Sequence, residues 1–253
     1  MSEDLIRIEE QDGIATLTLN RPAKRNALTH AMYERLGKYF AAPPPSVRVA
    51  ILTAEGEHFC AGGDLGEHQT LDAIDVLHTS RRRQAIFDRM QFSGIPLVAV
   101  LKGAVIGGGL ELALTAHVRV AEATAWFQLP EAAHGLFMGC GSTVRLGRIL
   151  GPDRMAEMML TRRIYRTEEA LGLGLAHYGV AADAGLSKAR ELAATIAANT
   201  TTANWFITNA LPRIDNMAAA DGLFAESLAV SLIQTDAEAQ RRMSEFLNRK
   251  GSR

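Results

Sequence analysis

The sequence predicts an α/β fold, with a strand-rich and glycine-rich N-terminal core followed by a helix-rich C-terminal part. Three observations carry this. Leu5–Glu10 and Ile14–Asn20 alternate apolar and polar residues about a Gln-Asp-Gly turn, the pattern of a β-hairpin with one covered face. Val47–Thr53 and Pro96–Lys102 are almost unbroken apolar runs of strand length, as expected of strands covered on both faces. From Ser142 onward the chain reads as mostly helical. Strands first and helices last fit a layered α/β core with a helical region attached.

The elements follow in order. Asn20-Arg21-Pro22 ends the hairpin, and Thr29 is placed to cap a helix running to about Phe40, with Tyr33, Leu36 and Phe40 on one face. Pro43-Pro44-Pro45 forbids its continuation. The apolar strand at Val47–Thr53 opens into a glycine-rich loop, Glu55–Leu65. A helix is predicted from about Leu71 to Gln91, with Arg81-Arg82-Arg83 as a solvated face. The second apolar strand leads through Gly107-Gly108-Gly109 into a helix at Leu110–Ala116. Short strands at His117–Ala121 and Ala125–Gln128 precede a loop from Leu129 to Thr143. Thr167-Glu168-Glu169 starts a further helix and Gly179 reads as an interruption. Helices are expected at Asp183–Asn199, Asn204–Leu211, Met217–Ile233 and Asp236–Leu247, which divides the chain into a core (1–182) and a helical region (183–253).

Composition narrows the function. The 253 residues are 47% hydrophobic and 22% charged, which excludes a disordered or fibrous chain. A formal net charge of −1 gives no electrostatic drive toward nucleic acid or an anionic membrane. Cys60 and Cys140 cannot build a disulfide framework or a four-cysteine zinc site, and the seven histidines form no H-E-x-x-H pattern, so no metal is expected. His58, His68, His117 and His134 read as structural or solvent-facing. The acidic N-terminus has no apolar signal region, and no apolar stretch approaches the ~20 residues of a membrane span. A cytoplasmic, soluble protein is expected.

The glycine-rich turns carry the chemistry. A strand, three glycines and a helix present free backbone N–H groups and a partial positive charge, fit for a phosphate or a developing oxyanion; the alternative is close helix–strand packing. Gly107-Gly108-Gly109 lacks the G-x-G-x-x-G spacing, and Gly139-Cys140-Gly141-Ser142-Thr143 lacks the lysine of a nucleotide phosphate loop. No G-x-S-x-G elbow occurs. The second loop, Phe59–Leu65, also follows an apolar strand, so amides from both turns could converge on one thioester oxygen and stabilise an enolate. Asp64, Glu111 and Glu131 are the nearby carboxylates. Glu111 stands among Leu110, Leu112, Ala113 and Leu114, where a carboxylate needs a partner. Two carboxyls facing one substrate can divide acid and base roles.

Taken in order, Asn20-Arg21-Pro22-Ala23-Lys24-Arg25-Asn26-Ala27-Leu28, Phe59–Leu65 (FCAGGDL), Gly107–Leu112 (GGGLEL) and Leu129-Pro130-Glu131 resemble the enoyl-CoA hydratase/isomerase (crotonase) family, collinearly from about Leu5 to Ala182. The resemblance implies a crotonase-like ββα spiral core with a helical C-terminal trimerisation region, and a homotrimer or dimer of trimers. It implies that the backbone N–H groups of Gly63 and Gly108 form an oxyanion hole, that Glu111 and Glu131 are catalytic, and that Ala23, Lys24, Arg25, Ala61, Gly62, Asp64 and Leu65 contact coenzyme A. Coenzyme A is then part of the acyl-CoA substrate, and no separate cofactor is implied. Hydration of a 2-enoyl-CoA is the expected reaction, since both glutamates are present. Isomerisation, which needs one shuttling base, and a catalytically silent acyl-CoA binder are the alternatives. The segment Met138–Val144 departs from the common hydratase pattern where the acyl chain would lie, which leaves the acyl group open.

Overall fold

The structure is a computed structural model that describes residues 5–67 and 72–251. Strands β1 (Ile6–Gln11) and β2 (Ile14–Leu19) form the expected hairpin, with Gln11 opposite Ile14. Its two-residue turn places Asp12 at φ 52° and Gly13 at φ 78°, the left-handed pair whose twist matches the flanking strands. Helix α1 (His30–Ala41) starts where the Thr29 hydroxyl accepts the Met32 N–H at 3.3 Å, and it buries Met32, Tyr33, Leu36 and Phe40.

Strand β3 (Val49–Ala54) is buried at all six residues. Helix α2 (Ala73–Phe92) is capped by Asp72, whose carboxylate accepts the N–H groups of Ile74 and Asp75 at 2.9 Å. Its expected start at Leu71, and His68, lie outside the described residues. Strands β4 (Leu97–Leu101) and β5 (Ala104–Ile106) lead to α3 (Gly108–Ala113), followed by β6 (Val118–Glu122) and β7 (Trp126–Gln128). Beyond them come α4 (Ser142–Leu150), α5 (Pro152–Thr161), β8 (Tyr165–Arg166), α6 (Thr167–Gly172) and β9 (Tyr178–Val180). The C-terminal helices are α7 (Gly185–Ala197), α8 (Thr201–Asn209), α9 (Leu211–Ile214), α10 (Ala219–Gln234) and α11 (Ala237–Gly251).

The larger sheet has the order β1-β2-β3-β4-β6-β9, antiparallel only at the hairpin; the smaller has the order β5-β7-β8. Alternation along β3 divides the interior. Ala50, Leu52 and Ala54 join the main core with α1 and α2, whereas Val49 and Ile51 join Val98, Val100 and Val120 in a second core closed by Ala189 and Ala193 of α7. Covering both faces is what lets these strands be apolar throughout, at about 1.5–3 kcal/mol for each large side chain buried. Buried Glu122 seats α7 by accepting the N–H groups of Asp183 and Gly185, both at 3.1 Å.

Two expectations are corrected. Gly179 interrupts no helix; it lies within β9, paired with Ala121. A methyl there would stand 2.6 Å from Leu171 on α6, so glycine is what lets strand and helix touch. Helix α3 begins at Gly108 rather than Leu110, so two of the three glycines lie in its first turn. Among the described residues no helix is long and apolar enough to cross a membrane, and no group of three or more His, Cys, Asp or Glu side chains could hold a metal ion.

Candidate active site

The loop after β3 is held at both edges by backbone hydrogen bonds. Cys60 exchanges bonds with β5, its N–H to Ala104 O and its carbonyl from Ile106 N–H, both at 3.0 Å. On the other edge Leu28 N–H donates to Gly62 O at 2.8 Å, and Asp64 N–H to Leu28 O at 2.9 Å. Fully buried Asn26 anchors the second edge. Its amide donates to the carbonyls of Glu55 and His58 at 3.0 and 2.8 Å, and its oxygen accepts Arg21 N–H at 2.8 Å.

This clamp sets Gly62 and Gly63 against the start of α3. A methyl on Gly108 would come within 3.2 Å of the Gly63 nitrogen, and one on Gly62 within 3.6 Å of the Gly108 nitrogen. Among the described residues neither the Gly63 nor the Gly108 N–H donates to a protein acceptor. The two amides therefore sit side by side with spare donor capacity, at the wall of a cavity of about 550 Å³ that both glycines line.

Glu111 and Glu131 line the same cavity. Glu111 is buried in α3 and accepts the Gly139 N–H at 2.5 Å. Burial raises its pKa, while the Gly139 bond and the charges of Arg83 and Arg145 oppose the rise. Glu131 opens a short 3₁₀ turn, Glu131–His134, directly after Pro130. Burial, with a smaller contribution from the Glu111 charge, pushes its pKa up to about 7, and its Oε2 is buried without a partner. The other carboxyl oxygen lies 2.6 Å from where a methyl on Gly107 would stand, and Gly107 itself holds φ at +50°. Two carboxyls are thus poised differently in one hollow: Glu111 accepts the Gly139 N–H, whereas one Glu131 oxygen is buried without a partner.

The remaining expected site residues divide. Asp64 and Leu65 line the cavity; Asp64 pairs with Arg21 at 2.6 Å and accepts Gly66 N–H at 2.8 Å, which holds its carboxyl below the usual range. Ala23, Lys24, Arg25, Ala61 and Gly62 do not line it. They form the adjoining segment, joined where Ala61 N–H donates to Arg25 O at 2.9 Å, with Lys24 and Arg25 exposed.

Several residues near the amides carried no functional signal in the sequence. Tyr33 reads as helix core, yet its buried hydroxyl lies 3.5 Å from where a Gly108 methyl would stand. The solvated-face reading of Arg81-Arg82-Arg83 holds for Arg81 and Arg82 and is corrected for Arg83, which lines the cavity. Burial pushes the Cys60 thiol up to about 12 and raises that of Cys140, which disfavours a thiolate at either. His58 and His117 are structural, accepting the N–H groups of Ala104 and Leu97 at 3.2 and 3.0 Å, and His134 is exposed.

Comparison with known proteins places the chain among relatives of one family. A family model described as enoyl-CoA hydratase/isomerase matches residues 9–252. The chain is 32% identical to the 2,3-dehydroadipyl-CoA hydratase of Escherichia coli K12, over 96% of this chain and 95% of that protein. It is 30% identical to the crotonyl-CoA hydratase of Syntrophomonas wolfei, over 78% of this chain and 76% of that one. Among solved structures, a Rhodopseudomonas palustris CGA009 protein provisionally assigned as an enoyl-CoA hydratase superposes with a TM-score of 0.95 at 40% identity, covering 98% and 96% of the two chains.

Proposed function

This chain belongs to the enoyl-CoA hydratase/isomerase family, and from that premise we propose that it adds water across the 2,3 double bond of a 2-enoyl-CoA. The carrying observation is that Glu111, Glu131 and the free amides of Gly63 and Gly108 share one cavity wall. In the proposed step the two N–H groups hold the thioester oxygen, which makes C3 electrophilic and stabilises the enolate. A water lies between the glutamates. Glu111 takes a proton from it as its oxygen bonds to C3, and Glu131 gives a proton to C2. The product is the 3-hydroxyacyl-CoA, and one proton passes back between the carboxyls before the next turnover. In this reading Lys24 and Arg25, exposed beside Ala61, meet the phosphates of coenzyme A. No cofactor beyond the substrate enters this scheme, and a cytoplasmic site of action is part of the proposal.

The test is loss of the enoyl-thioester absorbance when the protein meets crotonyl-CoA or a longer 2-enoyl-CoA. Shift of a 3-enoyl-CoA without any hydration would assign isomerisation instead. The active form has one proton on the carboxyl pair, so kcat/KM is expected to be bell-shaped in pH. Its alkaline limb should begin near pH 7, where Glu131 loses its proton, and its acid limb marks protonation of Glu111. A profile flat from pH 5 to 9 would remove the glutamates from this role.

The same reading covers assembly. Helix α10 leaves Leu223, Phe224, Leu228 and Leu232 each more than half exposed, and a helix apolar around its circumference is stable when another surface covers it. We propose a homotrimer or dimer of trimers that buries these side chains. Phe224→Glu with Leu228→Glu is expected to reduce the scattering mass to that of a 27.4 kDa monomer. A wild-type chain already at that mass would overturn it.

A further inference from the structure

Among the charged groups lining the cavity, Arg83 takes no part in the proposed proton transfers. Arg83 lines the wall from α2, and its Cζ lies 4.9 Å from the centre of the Tyr33 ring, whose hydroxyl neighbours Gly108. The cation is therefore one aromatic ring away from the amide pair. Among the described residues its Nε is buried without a partner, and its Nη2 reaches only the His30 ring nitrogen Nε2, at 3.5 Å. Among the described residues no carboxylate forms an ion pair with it. Glu67 is held by the His30 backbone and ring N–H groups at 2.7 Å, Asp64 by Arg21, and Glu111 by Gly139.

A half-buried guanidinium that no carboxylate hydrogen-bonds has donors to spare, and their planar fork matches a carboxylate. We propose that Arg83 receives the anionic far end of the acyl group, so that the preferred substrates are enoyl-CoA thioesters whose chain ends in a carboxylate. This rests on the acyl-CoA reading of the cavity. Leu28, Val76, Phe137 and Met138 supply apolar wall for the methylene part of such a chain. Arg83 and Tyr33 line the hollow together beside the amide pair, whereas Lys24 and Arg25 lie outside the lining.

The test titrates two saturated six-carbon acyl-CoAs, one ending in a carboxylate and one in a methyl, into wild type, Arg83→Gln and Arg83→Lys by calorimetry. The unsaturated counterparts are assayed for hydration. Wild type is expected to bind the carboxylate-ended thioester at least about tenfold more tightly. Arg83→Gln should lose about 10- to 100-fold of that preference, and Arg83→Lys should keep part of it. In turnover, the ratio of kcat/KM values for the two substrates should fall by a similar factor. The effect of the lost charge on Glu111 acts on both substrates and cancels in the ratio. Equal wild-type affinity for the two thioesters, or a preference that survives in Arg83→Gln, overturns the assignment. The wild-type comparison needs no variant to fold. A binding preference without hydration of any enoyl-CoA supports the Arg83 assignment while overturning the hydratase reading.

Discussion

Replacing Glu111 by glutamine is expected to lower kcat for hydration by about 10²–10⁴-fold, the usual worth of a positioned acid or base, while the Kd for a saturated acyl-CoA stays within a few-fold. Glutamine keeps the shape and can still accept the Gly139 N–H, so binding is preserved while the proton acceptor is lost. Glu131→Gln should show a similar kinetic loss. It also carries a stability signature of opposite sign. The folded carboxyl titrates near 7 against an ordinary 4.5, so between those values the folded state holds the proton and the unfolded state does not. The group's contribution is neutral below about pH 4.5, becomes increasingly destabilising as pH rises from there to about 7, and is constant above. Glu131→Gln removes that penalty, on the order of 1–2 kcal/mol once solvent screening of a partly exposed group is allowed for. Its melting temperature should exceed that of wild type at pH 8 and match it at pH 4. Hydration undiminished in both single variants would sink the assignment of these carboxyls.

Gly109→Ala is the second large effect. A methyl at Gly109 would stand 2.3 Å from the carbonyl oxygen of Cys60 and 2.8 Å from its carbonyl carbon. Backbone cannot move aside as a flexible side chain would, so the first turn of α3 must lift away from the loop that carries Gly63. The expected cost is about 3 kcal/mol, a fall in Tm of roughly 6–12 °C for a chain of this size. Separating the amides should also cost at least about 10²-fold in kcat, as loss of one oxyanion donor does. Gly147→Ala, on α4 where an added methyl meets nothing within 4 Å, is the control and should leave Tm within a few degrees. Full activity and an unchanged Tm for Gly109→Ala would refute this close packing.

Features written in short-range pattern were legible in the sequence. The Asp12-Gly13 turn, the Thr29 cap and the doubly covered strands each depend on residues within one element, and each formed within a residue or two of its predicted place. The short strands β8 and β9 left no pattern of their own. At two and three residues they are too brief for a period, and they exist because β7 and β6 offer unpaired edges. Within the site, the collinear glycine and glutamate motifs pointed to Gly63, Gly108, Glu111 and Glu131, all of which line one cavity. Tyr33 and Arg83 were hidden because a core tyrosine and an arginine on a helix face look the same in sequence whether or not a ligand hollow lies beside them.

By itself the sequence determined where the longer strands and helices form, which turns carry free amides and which residues have acidic chemistry to offer, since those follow from backbone conformation and side-chain type. Only the tertiary structure decided that Gly139 would brace Glu111, that one Glu131 oxygen would be buried without a partner and that Arg83 would face the cavity across Tyr33. Such pairings join positions up to 50 residues apart along the chain, and burial and proximity, which set the electrostatics of each group, arise only when the cores close.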